Sequence, residues 1–484
     1  MATRYFKNSA DQYWDTIENW WSDAACTEGF SGTLTGVTVT DTDETVTCDS
    51  TAGLVVGRPI TGTGIDTGST VASITNGTDF ELSLPAIANG SSNLTCELHV
   101  IPVTADDVVI ATGNGTVAGT PSAAVLGLVT VNGDSGLEVM LTAANFEFND
   151  TSFNNYGTIT GNCTFNDDSL SNGDITGNCT FNDASNNNDG PITGNCTFYG
   201  TSFNNNIITG DCTFNDASYN FSTITGDCTF NDASNNLYGT ITGNCTFYDT
   251  SNNLYGTVTG DFQWSSSDYN YGTITGDCVG GAVRNEYPGV IHGNCTVGTG
   301  GTVAFNGNII NGDCDFLSGG YQYSSTGEIN GNVTFSGNRV NGQGGMTGGV
   351  INGDVTFSDN TIHDFGTING AVTFNDTSRS QGTINNGPVT FNDSSIHDTS
   401  NHTITGDCTF NDYAYTYNFT AGITGNCTFN DNSYNYSTVI TGNATVRQHA
   451  AAFVAWRDYA TSTYVTGTLT LQFPEMDVLG TGLL

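Results

Sequence analysis

The chain has 484 residues, of which only 12% are charged, yet 48 acidic side chains face 8 basic ones and leave a net charge of -40. Such a surface repels nucleic-acid phosphates and anionic lipid headgroups, and no run of eighteen apolar residues offers membrane insertion. With 62 Gly and little charge the chain could pass for a disordered one, but 27 Phe and 20 Tyr recurring on a fixed period call for a regular core.

In chain order, residues 1–145 stand apart from the repeat that follows and read as an N-terminal cap with the first rungs. The opening MATRYFKNSADQYWDTIENWW lacks the apolar h-region of a secretory signal, so assembly or lysis, rather than general export, is the expected route. An insertion at about 28–100 contains GLVVGRPITGTGIDTGSTVASITNGTDFELSLPAIANGSSNLT, residues 53–95. Its alternating apolar residues and Gly-rich turns predict a small compact β module budding from the cap. Whether Cys26, Cys48 and Cys96 pair with one another is open at this stage.

Residues 146–446 are a tandem repeat. Taking the Cys of Gly-Asn/Asp-Cys-Thr-Phe as marker, equivalent positions fall at Phe146, Cys163, Cys179, Cys196, Cys212, Cys228, Cys245, Phe262, Cys278, Cys295 and Cys314. They continue at Val333, Val355, Val372, Val389, Cys408, Cys427 and Ala444, giving eighteen units spaced mostly 16, 17 or 19 residues apart. Within a unit Ile241, Gly243, Cys245 and Phe247 alternate with Thr242, Asn244, Thr246 and Tyr248, the period of two of a strand. The following FNDASNN is turn-forming, and a unit this short has no room for a crossover helix. The fold predicted is therefore all-β: a parallel β-solenoid, or β-helix, of about eighteen rungs in which identical side chains stack in columns about 4.8 Å apart.

The fullest column is aromatic, with Phe148, Phe165, Phe181 and Phe198 among its members, and is expected to be the main apolar support. Eleven of the fourteen Cys fill one column, one per rung, at a position that also accepts Phe, Val and Ala. That pattern fits buried reduced thiols acting as small apolar groups, because stacked parallel Cβ vectors suit disulfide geometry poorly. Residues 447–484 read as a C-terminal cap or oligomerisation segment, with a helix over HAAAFVAWRDYA, residues 449–460, and a last strand over VTGTLTLQF, residues 465–473.

Four sets of residues invite a functional reading. Asp167, Asp183, Asp216 and Asp232 recur two residues after the Phe and are candidate Ca²⁺ ligands, against the simpler role of closing turns through side-chain hydrogen bonds. Tyr238, Tyr255 and Tyr271 fall on three successive rungs and would form either a glycan or receptor contact or a third wall of the core. His363-Asp364 and His397-Asp398, each His eight residues past its marker, are a candidate loop site for acid-base or metal chemistry. The long rungs around 314–355, with the Gly-rich NGQGGMTGG, mark a place where a loop leaves the solenoid. No catalytic or cofactor-binding residue is assigned, and a non-enzymatic chain is expected.

One resemblance adds to this reading. Arg4-Tyr5-Phe6, Trp14, Asn19-Trp20-Trp21 and then Pro102 to Asp106-Asp107-Val108 resemble the W...NW...P...D.V opening of β-helical phage structural proteins and bacterial surface β-helices, where it forms the cap. Residues 53–95 resemble small all-β modules of phage tail and fibre proteins. What this implies is a virion protein of tail-fibre, spike or capsid-fibre type, contacting other virion proteins, a host-surface glycan or receptor, and other copies of itself. A bacterial extracellular adhesin or filament protein is the alternative, and a tailspike glycan depolymerase a further one.

Overall fold

The computed structural model describes residues 2–7, 12–15, 19–24, 29–98, 101–119, 125–264, 269–281, 284–285, 288–298, 302–304, 309–317, 321–323, 326–338, 345–385, 387–398, 403–417, 422–435, 438–448 and 465–472. Among them there is no helix, and parallel stacked sheets form a β-solenoid of about 17 turns, close to the eighteen markers read from the sequence. The segment expected to be helical, 449–460, lies outside the described residues. The chain divides into two compact units, Met1–Cys212 with Ala217–Ser222, and Thr213–Asp216 with Thr223–Leu484.

In the first unit each rung has three short walls. The marker wall stacks Cys163 on Cys179 and Phe165 on Phe181, and then Cys179 on Cys196 and Phe181 on Phe198. The second wall runs Leu170-Ser171, Asn186-Asn187, Phe203-Asn204, and the third stacks Ile159, Ile175 and Ile192, all in parallel register. Between the marker and second walls the chain reverses through a residue in the left-handed region, at Asp150, Asp167 and Asp183 with φ of 57° to 60°. Asp tolerates this conformation because its short side chain bonds locally. The rings of Phe148, Phe165, Phe181 and Phe198 are fully buried and stack nearly parallel at 4.5 to 4.8 Å.

The N-terminal motif residues close the bottom of this stack. Thr3–Phe6 pairs in parallel with Asp107–Ile110 and antiparallel with Trp20–Trp21. Trp20 packs edge-on against Phe6 at 5.1 Å and Trp14 at 4.6 Å, and its indole N–H donates to the Trp14 carbonyl at 2.8 Å. Arg4 donates to Asp106 at 2.8 Å in a buried pair that also takes the Val103 N–H at 3.1 Å. The W, NW and D positions thus hold the cap together.

The inserted module has its own core of Val37, Val46, Ile60, Phe80, Leu82 and Leu94, among others. Phe30–Leu34 pairs antiparallel with Leu94–Leu98, so the chain enters and leaves through neighbouring strands. A second antiparallel sheet joins Thr38–Val39, Thr45–Thr47, Asp79–Leu82 and Val71–Ile74. Cys48 and Cys96 are both buried here as free thiols. The module leans on the cap through cations over rings, Arg58 at 4.5 Å from Trp21 and Arg4 at 3.9 Å from Phe30.

The second unit repeats the plan from Cys228–Phe230 to Leu469–Gln472. Its Phe column shows one size exchange. Trp264 takes a Phe position, and the residue paired with it in the next rung is Gly280, where an added Cβ would sit 2.8 Å from that of Trp264. Bulk in one rung is thereby offset by its absence in the next.

Candidate functional surfaces

The repeat leaves two kinds of column: those that fill the interior and those that face solvent. The interior holds a column that periodicity did not reveal. The last Asn of the FNDASNN phrase, read as turn, is fully buried: Asn187, Asn204 and Asn220 in the first unit, and Asn236, Asn253, Asn270 and Asn285 in the second. Their amides run head to tail, Asn187 to Asn204 at 2.8 Å and Asn204 to Asn220 at 2.9 Å, then Asn236 to Asn253, Asn253 to Asn270 and Asn270 to Asn285 at 2.7 to 2.9 Å. An amide both donates and accepts, so a stack of them satisfies itself in a dry interior. The one available signal was the constancy of that Asn beside a neighbour that varies.

On the outside, the residue before each marker forms another ladder. The N–H groups of Asn178, Asn195 and Asp211 donate to the side-chain oxygens of Asn162, Asn178 and Asn195 at 2.9 to 3.2 Å. A side-chain oxygen at this reach accepts the N–H of the next rung, which explains why the position is Asn or Asp in all units but those with Ala371 and Pro388. Thr242, Thr259 and Thr275 donate to the carbonyls of the rung below at 3.0 to 3.1 Å.

The carboxylates proposed as Ca²⁺ ligands sit at the reversing turns. Asp167 and Asp183 have φ of 57°, as has Asp216, and Asp232 has 56°. Asp167 accepts the N–H of Asp150 at 3.2 Å, and Asp232 that of Asp216 at 3.3 Å. Gly200 and Gly337 take the same turn position in their rungs, with φ of 65° and 84°. A position shared by Asp and Gly is selected for backbone conformation. Among the described residues no group of three or more His, Cys, Asp or Glu is placed to hold a metal ion.

The tyrosines face solvent rather than the core. Tyr238 and Tyr255 are 62% and 54% exposed, and Tyr271 is half-buried. Tyr238 stacks on Tyr255 with centroids 5.8 Å apart and planes at 16°, and Tyr271 follows at 6.2 Å and 37°. Stacked in this way the rings occupy one another's faces and turn edges and hydroxyls outward. Tyr269 extends the patch, 5.7 Å from Tyr271. The first unit carries a similar cluster in Phe203, Tyr219 and Phe221.

The histidines are placed differently from expectation. His363 and His397 lie not in loops but in the strands Ile362–Ile368 and Ile396–Asp398, and both are fully buried. They belong to the column that carries Asn in earlier rungs and here reads Met346, His363, Ser380, His397 and Thr416. Their rings lie 5.8 Å from Phe357 and 6.0 Å from Phe391. Desolvation, opposed by contact with the Ser380 backbone, pushes the His397 pKa down to about 4. Neighbours along a strand face opposite sides, so Asp364 and Asp398 are only part-buried, outside the core that holds His363 and His397. Neither pair can converge on one ligand. Part of the Gly-rich stretch also enters the wall, since Gly345–Ile351 is a strand with Met346 buried.

Comparison with protein-family models, curated proteins and solved structures gives no match.

Proposed function

We propose that this chain is a structural component of a virus particle, a β-solenoid shaft of tail-fibre, spike or capsid-fibre type that presents its outer columns to a host-surface glycan or receptor and to neighbouring copies. The observation that carries the reading is the self-sufficiency of the rungs. Backbone ladders, the buried amide stack, the Asn and Asp ladder and the Phe column tie each rung to the next, which suits a stiff supporting element. The N-terminal pattern that resembles phage β-helix caps supports the virion assignment. The exposed Tyr238, Tyr255 and Tyr271 are the candidate contact surface, with hydroxyls and ring edges offered to sugar hydroxyls. A depolymerase gains no support from the His-Asp pairs, which are split across a wall.

The test is negative-stain electron microscopy of the purified protein with particle mass from light scattering. Discrete capped rods of one to three chains are expected. Filaments growing end to end would remove the fibre assignment and favour an assembling surface polymer.

A further inference from the structure

We propose that the cysteine column is a binding site for soft cations of linear two-coordinate preference, each ion bridging the sulfurs of two neighbouring rungs. The column places cysteines in direct register: Cys163, Cys179 and Cys196 in the first unit, and Cys228 with Cys245, Cys278 with Cys295 and Cys314, and Cys408 with Cys427 in the second. All are free thiols exposed by 3% or less. Cys179 thus lies directly between Cys163 and Cys196 in the column.

Distance selects the class of ion. Equivalent side chains in neighbouring rungs repeat at about 4.8 Å. A metal midway between two sulfurs, with metal-sulfur bonds of about 2.3 Å, spans about 4.6 Å in a straight line. Two sulfurs per ion are all the column supplies, since no third donor of the His, Cys, Asp or Glu type converges among the described residues. Zn²⁺, which takes four ligands, is therefore not accommodated, whereas thiolate donors select soft cations.

Charge selects further. Among the described residues the buried Arg, Lys, Asp and Glu side chains are Arg4 and Asp106 of the N-terminal segment, so no such group lies in the interior beside this column, and burial raises the Cys179 and Cys196 thiols, so their resting state is an uncharged dithiol. With Hg²⁺ the step is two R–SH plus Hg²⁺ giving R–S–Hg–S–R plus two H⁺. Both S–H bonds break heterolytically, both protons leave to solvent, nothing is oxidised or reduced, and the product is neutral. Val333, Val355, Val372 and Val389 occupy the same column, each buried. Packing alone thus does not require sulfur, and valine substitutions are compatible with the fold.

The experiment titrates the folded full chain with HgCl₂, reading bound metal after dialysis, proton release and the sulfur-to-metal charge-transfer band, with circular dichroism to confirm the β fold throughout. Against it stands a variant carrying Cys179→Val, Cys212→Val, Cys245→Val, Cys295→Val and Cys427→Val, which retains six column thiols, none in adjacent rungs. Cys26, Cys48 and Cys96 contribute equally to both proteins. The wild type is expected to bind five ions more than the variant, roughly one per pair of neighbouring thiols, each releasing two protons, and to ignore Zn²⁺. Should the variant fail to fold, the proton count on the wild type decides. Uptake in proportion to thiols at one proton per ion, or no uptake by the folded wild type, overturns the proposal.

Discussion

Asp183 and Gly200 occupy the same reversing turn in successive rungs, with φ of 57° and 65°, and the N–H of Thr201 beside Gly200 donates to the Asp183 carbonyl at 2.7 Å. One backbone shape is thus served by two side chains that share only their tolerance of the left-handed region. Replacing Asp183 by Gly is expected to change stability by less than about 0.5 kcal/mol, whereas Asp183→Val should cost about 1 to 2 kcal/mol from the Cβ clash. Urea denaturation of the two variants checks this. If Ca²⁺ binding rather than backbone shape selected the Asp, Asp183→Gly would lower the melting temperature only in the presence of the ion.

The buried amide stack makes Asn253 a more sensitive site than its place in a polar phrase suggests. It accepts from Asn236 at 2.9 Å and donates to Asn270 at 2.7 Å. Truncation in Asn253→Ala leaves both neighbours short of a partner in a dry interior, and a loss of about 2 to 5 kcal/mol is expected. Asn253→Ser should be milder, because Ser171 and Ser380 fill equivalent buried positions in other rungs. Equal losses for the two variants would mean that volume, not hydrogen bonding, governs the column.

His397 predicts a particular acid profile. Its folded pKa of about 4 lies below the ordinary histidine value of 6.5, so the unfolded chain takes the proton first as pH falls. Stability is fully present above about pH 6.5, declines between there and about pH 4, and loses nothing more from this group below that. The full loss is about 3 kcal/mol for the shift involved. Denaturation midpoints measured across this window should flatten in His397→Thr, whose side chain matches Thr416 of the next rung. An unchanged slope would place the acid sensitivity elsewhere.

The aromatic column carries the largest single-residue effect. Phe374 lies between Phe357 and Phe391, with centroids 4.8 Å from each and planes within 6°. Phe374→Ala should cost about 3 to 5 kcal/mol and Phe374→Leu markedly less. The comparison by chemical denaturation separates burial from ring stacking.

The outward tyrosines are expected to matter for contact and not for folding. Tyr255 has φ of 65°, so Asn is the substitution that its backbone accepts. The triple variant Tyr238→Ala, Tyr255→Asn, Tyr271→Ala should keep its melting temperature within a few degrees, as exposed substitutions do. Adsorption to host cells or to a glycan array should fall more than about tenfold, the scale of losing an aromatic contact cluster. Wild-type adsorption undiminished in the variant would move the contact surface to another face.

The sequence by itself determined the solenoid, the parallel register and the identity of the Phe, Cys and Ile columns. These follow from a repeat length that admits no helix and from alternation within one short strand, both of which are local. It did not determine what happens at the corners. Alternation loses its phase wherever the chain turns, at the left-handed Asp167 or at Gly161 with φ of 150°. Past such a corner a polar Asn187 can enter the core while Tyr238, on a neighbouring corner, turns out, and His363 and Asp364 part to opposite sides of one wall. Those assignments depend on how three walls close around a shared interior, where a buried amide is held by the amides of the neighbouring rungs, as Asn204 is between Asn187 and Asn220.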